Sequence, residues 1–189
     1  RPLGVVSANA FYKDLSNYRF TLVTDGVPYV TPTTTVAQVT EARNARDGHI
    51  AGIEFNWQQT FDFLPGWASG FGVFANYTWT DAKSASGATD GKRLTRRPEH
   101  MANFAADYAF TFGLKTGVAV RYVGETFNND TNTAKVDAYT LVDLRASYPI
   151  NDALEIYGRI ENAFDEDYQT VLNYGAPGQG VFGGVRVRF

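Results

Sequence analysis

The chain has 189 residues, a net charge of −3 and no cysteine. So small a charge singles out neither nucleic acid nor an anionic membrane surface as a partner, and no nucleic-acid role is expected. Without cysteine there are no disulfides, thiolate metal sites or cysteine nucleophiles. Aromatics make up 15% and there are 18 glycines, a mixture that suits strands and tight turns better than helices. No apolar run approaches the roughly 18 residues of a membrane-spanning helix. The mean hydropathy of −0.27 reads as that of a soluble protein, but membrane barrels give the same weak signal because only alternate residues face lipid. The chain opens at Arg1 without Met or a signal peptide, which we read as a missing N-terminal region.

In chain order the period is two, again and again. A strand is expected around 4–23, with Val6, Ala8, Ala10 and Tyr12 alternating. The next begins as early as about residue 40. Over 53–61 it sets Ile53, Phe55, Trp57 and Phe61 against Glu54, Asn56, Gln58 and Thr60. Over 71–80, Phe71, Val73, Ala75, Tyr77 and Trp79 share one face. Further strands are expected at 102–110, 114–122, 138–148, 154–161 and 181–189. Within these spans the charges fall on the polar parity, as alternating strand patterning requires. The total is about eight strands and no convincing helix.

The connections alternate in length. Asp62–Gly66, Thr111–Gly113 and Pro149–Ala153 are short, whereas 24–40, 81–96, 124–137 and 162–180 are long and polar. In an up-and-down meander, all short turns then lie at one end and all long loops at the other, as in outer-membrane barrels.

Alternation leaves open whether the apolar face meets lipid or the core of a soluble β-sandwich. The loop asymmetry favours lipid. So do the aromatics near strand ends, among them Phe61, Trp67, Tyr77, Trp79, Phe110, Phe112, Tyr122 and Tyr148, placed as in an interfacial girdle. The closing run Gly184 to Phe189 adds a third sign. It ends the chain on an aromatic in a strand, the type of end that barrel-assembly machinery recognises, with Gly184, Val187 and Phe189 as its markers. The expected class is therefore all-β, an antiparallel up-and-down transmembrane β-barrel. A complete eight-stranded structural or adhesive barrel and a soluble sandwich acting as a binding module remain as alternatives.

The last third carries a family resemblance. Tyr139 to Tyr148 (YTLVDLRASY), Glu161 to Tyr168 (ENAFDEDY) and the terminal strand resemble the end of a TonB-dependent receptor. Asn162, Phe164, Asp165 and Tyr168 match the family's Asn-Leu-Phe-Asp…Tyr motif, with Ala163 in place of Leu. Upstream, Gly52-Ile-Glu-Phe55 resembles a Gly-Val/Ile-Glu barrel strand, and Arg97-Pro-Glu-His100 resembles the Arg-x-Pro-x-His pattern with one residue missing. The resemblance implies a barrel of about 22 strands with a plugged lumen, of which residues 1–189 would be the C-terminal part, the plug and earlier strands being absent. It further implies the outer membrane of a Gram-negative bacterium, surrounding lipid, and coupling to TonB through the missing N-terminal region. The small-molecule substrate would be scarce, either a ferric siderophore or cobalamin. The stretch Tyr168 to Gly178 resembles the last outer loop of vitamin B12-type receptors, so Tyr168 and Tyr174 are candidates for the substrate mouth.

No catalytic site, cofactor site or metal site is expected. His49 and His100 lack ligand spacing, and the loop carboxylates Asp130, Asp165, Glu166 and Asp167 lack the EF-hand spacing of a Ca²⁺ site. Glu155, Arg159 and Glu161 read as part of a charge ladder rather than a catalytic pair. With Glu54, Asp107, Lys115, Arg121, Asp143, Arg145, Arg186 and Arg188 they form the expected lumen-facing wall.

Overall fold

The computed structural model describes the backbone of residues 4–24, 29–30, 35–36 and 39–189, and side chains over 4–17 and 46–189. The connection expected at 24–40 lies largely outside the described residues. Eight long strands follow one another: β1 Gly4–Thr24, β2 Val39–Thr60, β3 Phe71–Ser84, β4 His100–Ala109, β5 Lys115–Val123, β6 Tyr139–Pro149, β7 Leu154–Glu161 and β8 Gly180–Val187. Each is antiparallel to its sequence neighbours, and together they form one sheet in chain order. That is the expected meander. Its short turns (61–70, 110–114, 150–153) lie at one end and the connections 85–99, 124–138 and 162–179 at the other.

Three boundaries depart most from expectation. β3 runs on to Ser84, four residues into the connection expected at 81–96. The turn expected at Asp62–Gly66 extends through a 3-10 helix, Gly66–Gly70. The Tyr108 hydroxyl donates to the Trp67 carbonyl at 2.8 Å, which ties that turn to the neighbouring strand. The last strand stops at Val187, so Phe189 lies beyond it rather than in it. Its partner β7 begins at Leu154, and the last ladder contact is Arg188 N–H to Ala153 at 2.9 Å.

Register carries parity intact from β2 to β8, and the β1–β2 ladder shifts register only between Leu15 and Arg19. On one face Ile53 sits opposite Trp79, Phe55 opposite Tyr77, Ala75 opposite Phe104, Phe104 opposite Val120 and Val120 opposite Val142. The same face continues through Leu144 opposite Ile160 and Ile156 opposite Val185. A one-residue slip anywhere would send all of these to the other side.

No second layer covers this apolar face among the described residues. Phe55 is 42% exposed, Phe104 42% and Val185 59%, and among the described residues the buried apolar side chains are Ala82, Val136 and Leu141. A soluble sandwich would bury one face of every strand against a partner sheet, so the sandwich alternative fails. The complete small barrel fails as well: β1 and β8 are the two edges of the sheet and do not pair with each other.

One glycine is required by packing. A Cβ on Gly52 would collide with the Trp79 carbonyl oxygen and with the Phe11 ring that lies across it. Gly52→Leu is therefore expected to break the β2–β3 ladder locally and destabilise the sheet by about 2–4 kcal/mol, the range of severe steric lesions. A urea midpoint unchanged from the parent protein would contradict this.

Candidate functional site

The polar parity gathers the predicted charges on one face. Asp107, Lys115, Arg145, Glu155, Arg159 and Arg186 line a shared hollow of about 480 Å³ that spans β4 to β8. Arg145 forks onto Asp107, with contacts of 3.1 and 2.7 Å. Glu155 accepts from Arg186 at 2.7 Å and from Arg188 at 3.3 Å. Arg159 pairs with Glu161 at 3.1 Å along the same strand. Asp143 accepts the backbone N–H of Asn162 at 2.9 Å. Glu54 lies between Asn9 and Thr78, and Arg121 between Asn103 and Leu141, on this same face. Oppositely charged side chains that face each other across strands stabilise a sheet modestly, and these pairs are exposed, so each contributes little by itself. What they do create is a charged, hydrogen-bonding face.

Two of the aromatics on that face, Tyr157 and Phe182, lie against its arginines, contacts the sequence patterning did not anticipate. The Arg159 guanidinium lies 4.7 Å from the Phe182 ring centre and the Arg186 guanidinium 5.6 Å from that of Tyr157. Both rings lie over glycine: Tyr157 covers Gly184, and Phe182 covers Gly180. Gly184 thus accommodates a ring, and Val187 sits opposite Leu154 on the apolar face.

The apolar face has visible limits. At the short-turn end, ring contacts run from Trp67 to Phe71 (5.8 Å), Tyr108 (4.5 Å), Phe110 (4.5 Å) and Phe112 (5.1 Å). At the other end, the Tyr77 hydroxyl meets His100 Nδ1 at 2.7 Å and the Trp79 indole donates to Glu99 at 3.3 Å. Just beyond, the same parity turns charged: His49 lies 3.7 Å from Asp81, and Lys83 lies 2.9 Å from Asp81. From Phe71 to Trp79 is about 26 Å along the strand, or roughly 20 Å vertically at a typical barrel tilt. That is close to the apolar band of about 25 Å seen in outer-membrane barrels.

The residues of the Asn162 motif have definite local tasks. Asn162 is 5% exposed and adopts a left-handed backbone with φ of 49°. Its side chain donates to the Glu166 carbonyl at 2.9 Å and accepts the Glu166 N–H at 2.8 Å. Asp165 accepts the N–H of Gln179 at 2.8 Å, which closes the base of the 162–179 loop. Tyr168 packs on Tyr139 with ring centres 4.5 Å apart. Phe164 is 80% exposed and Tyr174 71% exposed, Tyr174 being on a small hairpin of Gln169–Val171 with Tyr174–Gly175.

Residues outside the expected wall and mouth tie the loops together. Ser86 accepts the Asp47 N–H at 2.9 Å, and Arg46 pairs with Asp130 at 3.0 Å. Arg93 and Asn132 meet across two loops. Only the unusual density of Arg in 93–97 and of Asn in 128–132 hinted at this. Among the described residues, no group of three or more His, Asp or Glu side chains is placed to hold a metal ion. Asp130 and Asp165 are engaged as stated.

Lys135 and Glu125 pair at 2.6 Å in the 124–138 connection. The hydrogen bond from Lys135, with the charges of Lys135 and Arg93, holds the Glu125 carboxyl below its usual 4.5. The hydrogen bond to Glu125 raises Lys135 above 10.5. The depressed carboxyl stabilises the loop above pH 4.5 and loses that effect as the pH falls through its folded value; the raised ammonium stabilises below pH 10.5 and is lost as the pH rises through its own. Limited proteolysis of this loop is therefore expected to be constant between those limits and to speed up below pH 4.5. A loop equally resistant at acid pH would remove the pair from its support.

Comparison with known proteins agrees with this geometry. The family model described as TonB dependent receptor-like, beta-barrel, matches residues 2–163. The vitamin B12 transporter BtuB of Photobacterium profundum is 34% identical over 132 residues, covering 69% of this chain and 20% of that protein. The chain thus spans about a fifth of the length of the curated relatives it matches. In fold it resembles the ferric citrate transporter FecA (TM-score 0.74, 16% identity, 97% of this chain, 29% of that one). It also resembles the siderophore receptor PiuA of Acinetobacter baumannii (TM-score 0.73, 18% identity, 96% of this chain, 26% of that one). A sheet with one greasy face, one charged face and all long loops at one end has its place in a Gram-negative outer membrane, and the chain belongs to the TonB-dependent receptor β-barrel family.

Proposed function

We propose that the chain is the C-terminal part of the barrel domain of a TonB-dependent receptor that imports a scarce nutrient, a ferric siderophore or vitamin B12. The observation that carries this reading is a single open sheet whose apolar face is uncovered among the described residues and whose opposite face is a hollow lined with paired charges. Lipid covers the apolar face. The charged face borders the lumen, where a polar wall lets a plug move, since hydrogen bonds to water replace those to the wall at little net cost. The outer connections, with Tyr168 and Tyr174, contribute to the substrate mouth, where exposed rings pack on a bulky chelate. Import draws its energy from TonB through a region outside this chain. The segment itself supplies wall and loops, and its relatives are named as transporters and receptors rather than enzymes.

The test is uptake by cells that carry the full-length receptor as their only one of this class. Radiolabelled cyanocobalamin and a panel of labelled ferric siderophores are offered with and without TonB. Accumulation of one of them only when TonB is present is expected. Uptake of none, or uptake indifferent to TonB, would sink the reading.

A further inference from the structure

Arg93 stands out among the loop residues because it is largely shielded, at 21% side-chain exposure, and belongs to no strand. Its backbone N–H donates to the Asn132 side-chain oxygen at 2.7 Å, and the Asn132 amide donates back to the Arg93 carbonyl at 2.9 Å. This reciprocal pair imitates a rung of β-ladder between two loops. The guanidinium adds contacts of its own. It donates to the Glu125 carbonyl at 3.3 Å, lies 3.5 Å from the Glu125 carboxylate and 3.8 Å from that of Glu99, and covers the Phe127 ring at 5.4 Å. Three residues on, the Arg96 N–H donates to the Phe127 carbonyl at 2.9 Å.

The acceptor side is equally well prepared. Asn132 sits at φ of 58°, in a turn where Asn129 accepts the N–H groups of Thr133 and Ala134, both at 3.0 Å. On its other flank, Arg93 bridges to Lys83 at the end of β3. Planar, bidentate groups with several fixed partners lose little freedom per bond formed, and the contacts with Asn132, Glu125 and Phe127 each join a residue of one connection to a residue of the other.

We infer that Arg93 is a positioning residue that fastens the 85–99 and 124–138 connections into one body, so that these two outer loops open and close together. The effect on ligand binding rests on the reading of these loops as part of the substrate mouth; the fastening itself does not.

Hydrogen exchange on the full-length receptor in outer-membrane vesicles tests it, with Arg93→Met, Arg93→Lys and Asn132→Leu compared with the parent. Either Arg93→Met or Asn132→Leu is expected to speed exchange about ten-fold or more in both loops at once. The reporters are the Arg96 amide in one loop and the Asn128 amide in the other. The Glu166 and Gln179 amides of the third loop stay unchanged. Arg93→Lys, which keeps charge but not the fork, falls between. Loosening confined to the mutated loop, or none in either, overturns the inference. Cyanocobalamin and a ferric catecholate serve as binding probes. An affinity about ten-fold weaker, with an unchanged uptake rate at saturation, extends the fastening to the mouth. Joint loosening with unchanged affinity for a probe that binds leaves the fastening standing and removes these loops from the mouth.

Discussion

Phe104→Arg in the full-length receptor is expected to lower stability by about 2–4 kcal/mol, the cost of an arginine on the lipid face near mid-membrane. Phe104 is 42% exposed. It lies between Ala75 on β3 and Val120 on β5, midway between the Phe71 and Trp79 ends of the apolar face. In water such a change on an exposed position would matter little. In hydrocarbon the guanidinium must either stay desolvated or drag water and headgroups toward it. The control is Thr78→Arg, on the opposite face beside Glu54. There a new cation meets a carboxylate in a wet environment, and a change under about 1 kcal/mol is expected. Folding into phospholipid vesicles, followed by urea titration, reads both. If the two variants lose equal stability, or if Phe104→Arg loses none, the assignment of faces is wrong.

Asn162→Ala is expected to release the base of the 162–179 loop at a local cost of about 2–4 kcal/mol. Two contributions are separable. Removal of the side chain breaks both hydrogen bonds to the Glu166 backbone, about 0.5–1.5 kcal/mol each. An alanine also tolerates the left-handed backbone at φ of 49° less well than asparagine, by about 1 kcal/mol. Asn162→Gly removes the first contribution's bonds while relieving the second, so it is expected to be the milder variant. Exchange of the Glu166 and Gln179 amides is the measurement. Faster exchange in the alanine variant than in the glycine variant, with β5 and β6 unchanged, is the expected pattern. Equal exchange in all three proteins would mean that the asparagine serves something other than the turn. Asn162, Asp165 and Tyr168 then have a common physical sense. They cap, close and pack the 162–179 connection, whereas Phe164, exposed at 80%, has no such task within this sheet.

Strand alternation is a local property, because successive side chains on a pleated strand must point to opposite sides. For that reason the sequence alone determined the eight strands, their order, the polarity of their two faces and the alternation of short turns with long loops. Val118, Val120 and Tyr122 could be assigned a face without knowing what lay beside them. Lipid contact was expected only from the sum of loop lengths, aromatic positions and the terminal run Gly184 to Phe189, since a sandwich core would have used the same alternation. Only the tertiary structure showed that, among the described residues, no second layer covers the apolar face, which excludes the sandwich.

Register and loop packing decided the rest. Arg145 finds Asp107, and Glu155 finds Arg186, because strands distant in sequence align at one register out of several with equal local propensity. The upper limit of the apolar face, where His49, Asp81 and Lys83 take over its parity, depends on how far β1 to β3 rise past their neighbours. Arg93 and Asn132 meet across 39 positions of sequence, the Asn132 side-chain amide bonding the Arg93 backbone N–H and C=O. No periodicity encodes such a contact; it arises when two irregular segments are held side by side by the regular sheet beneath them.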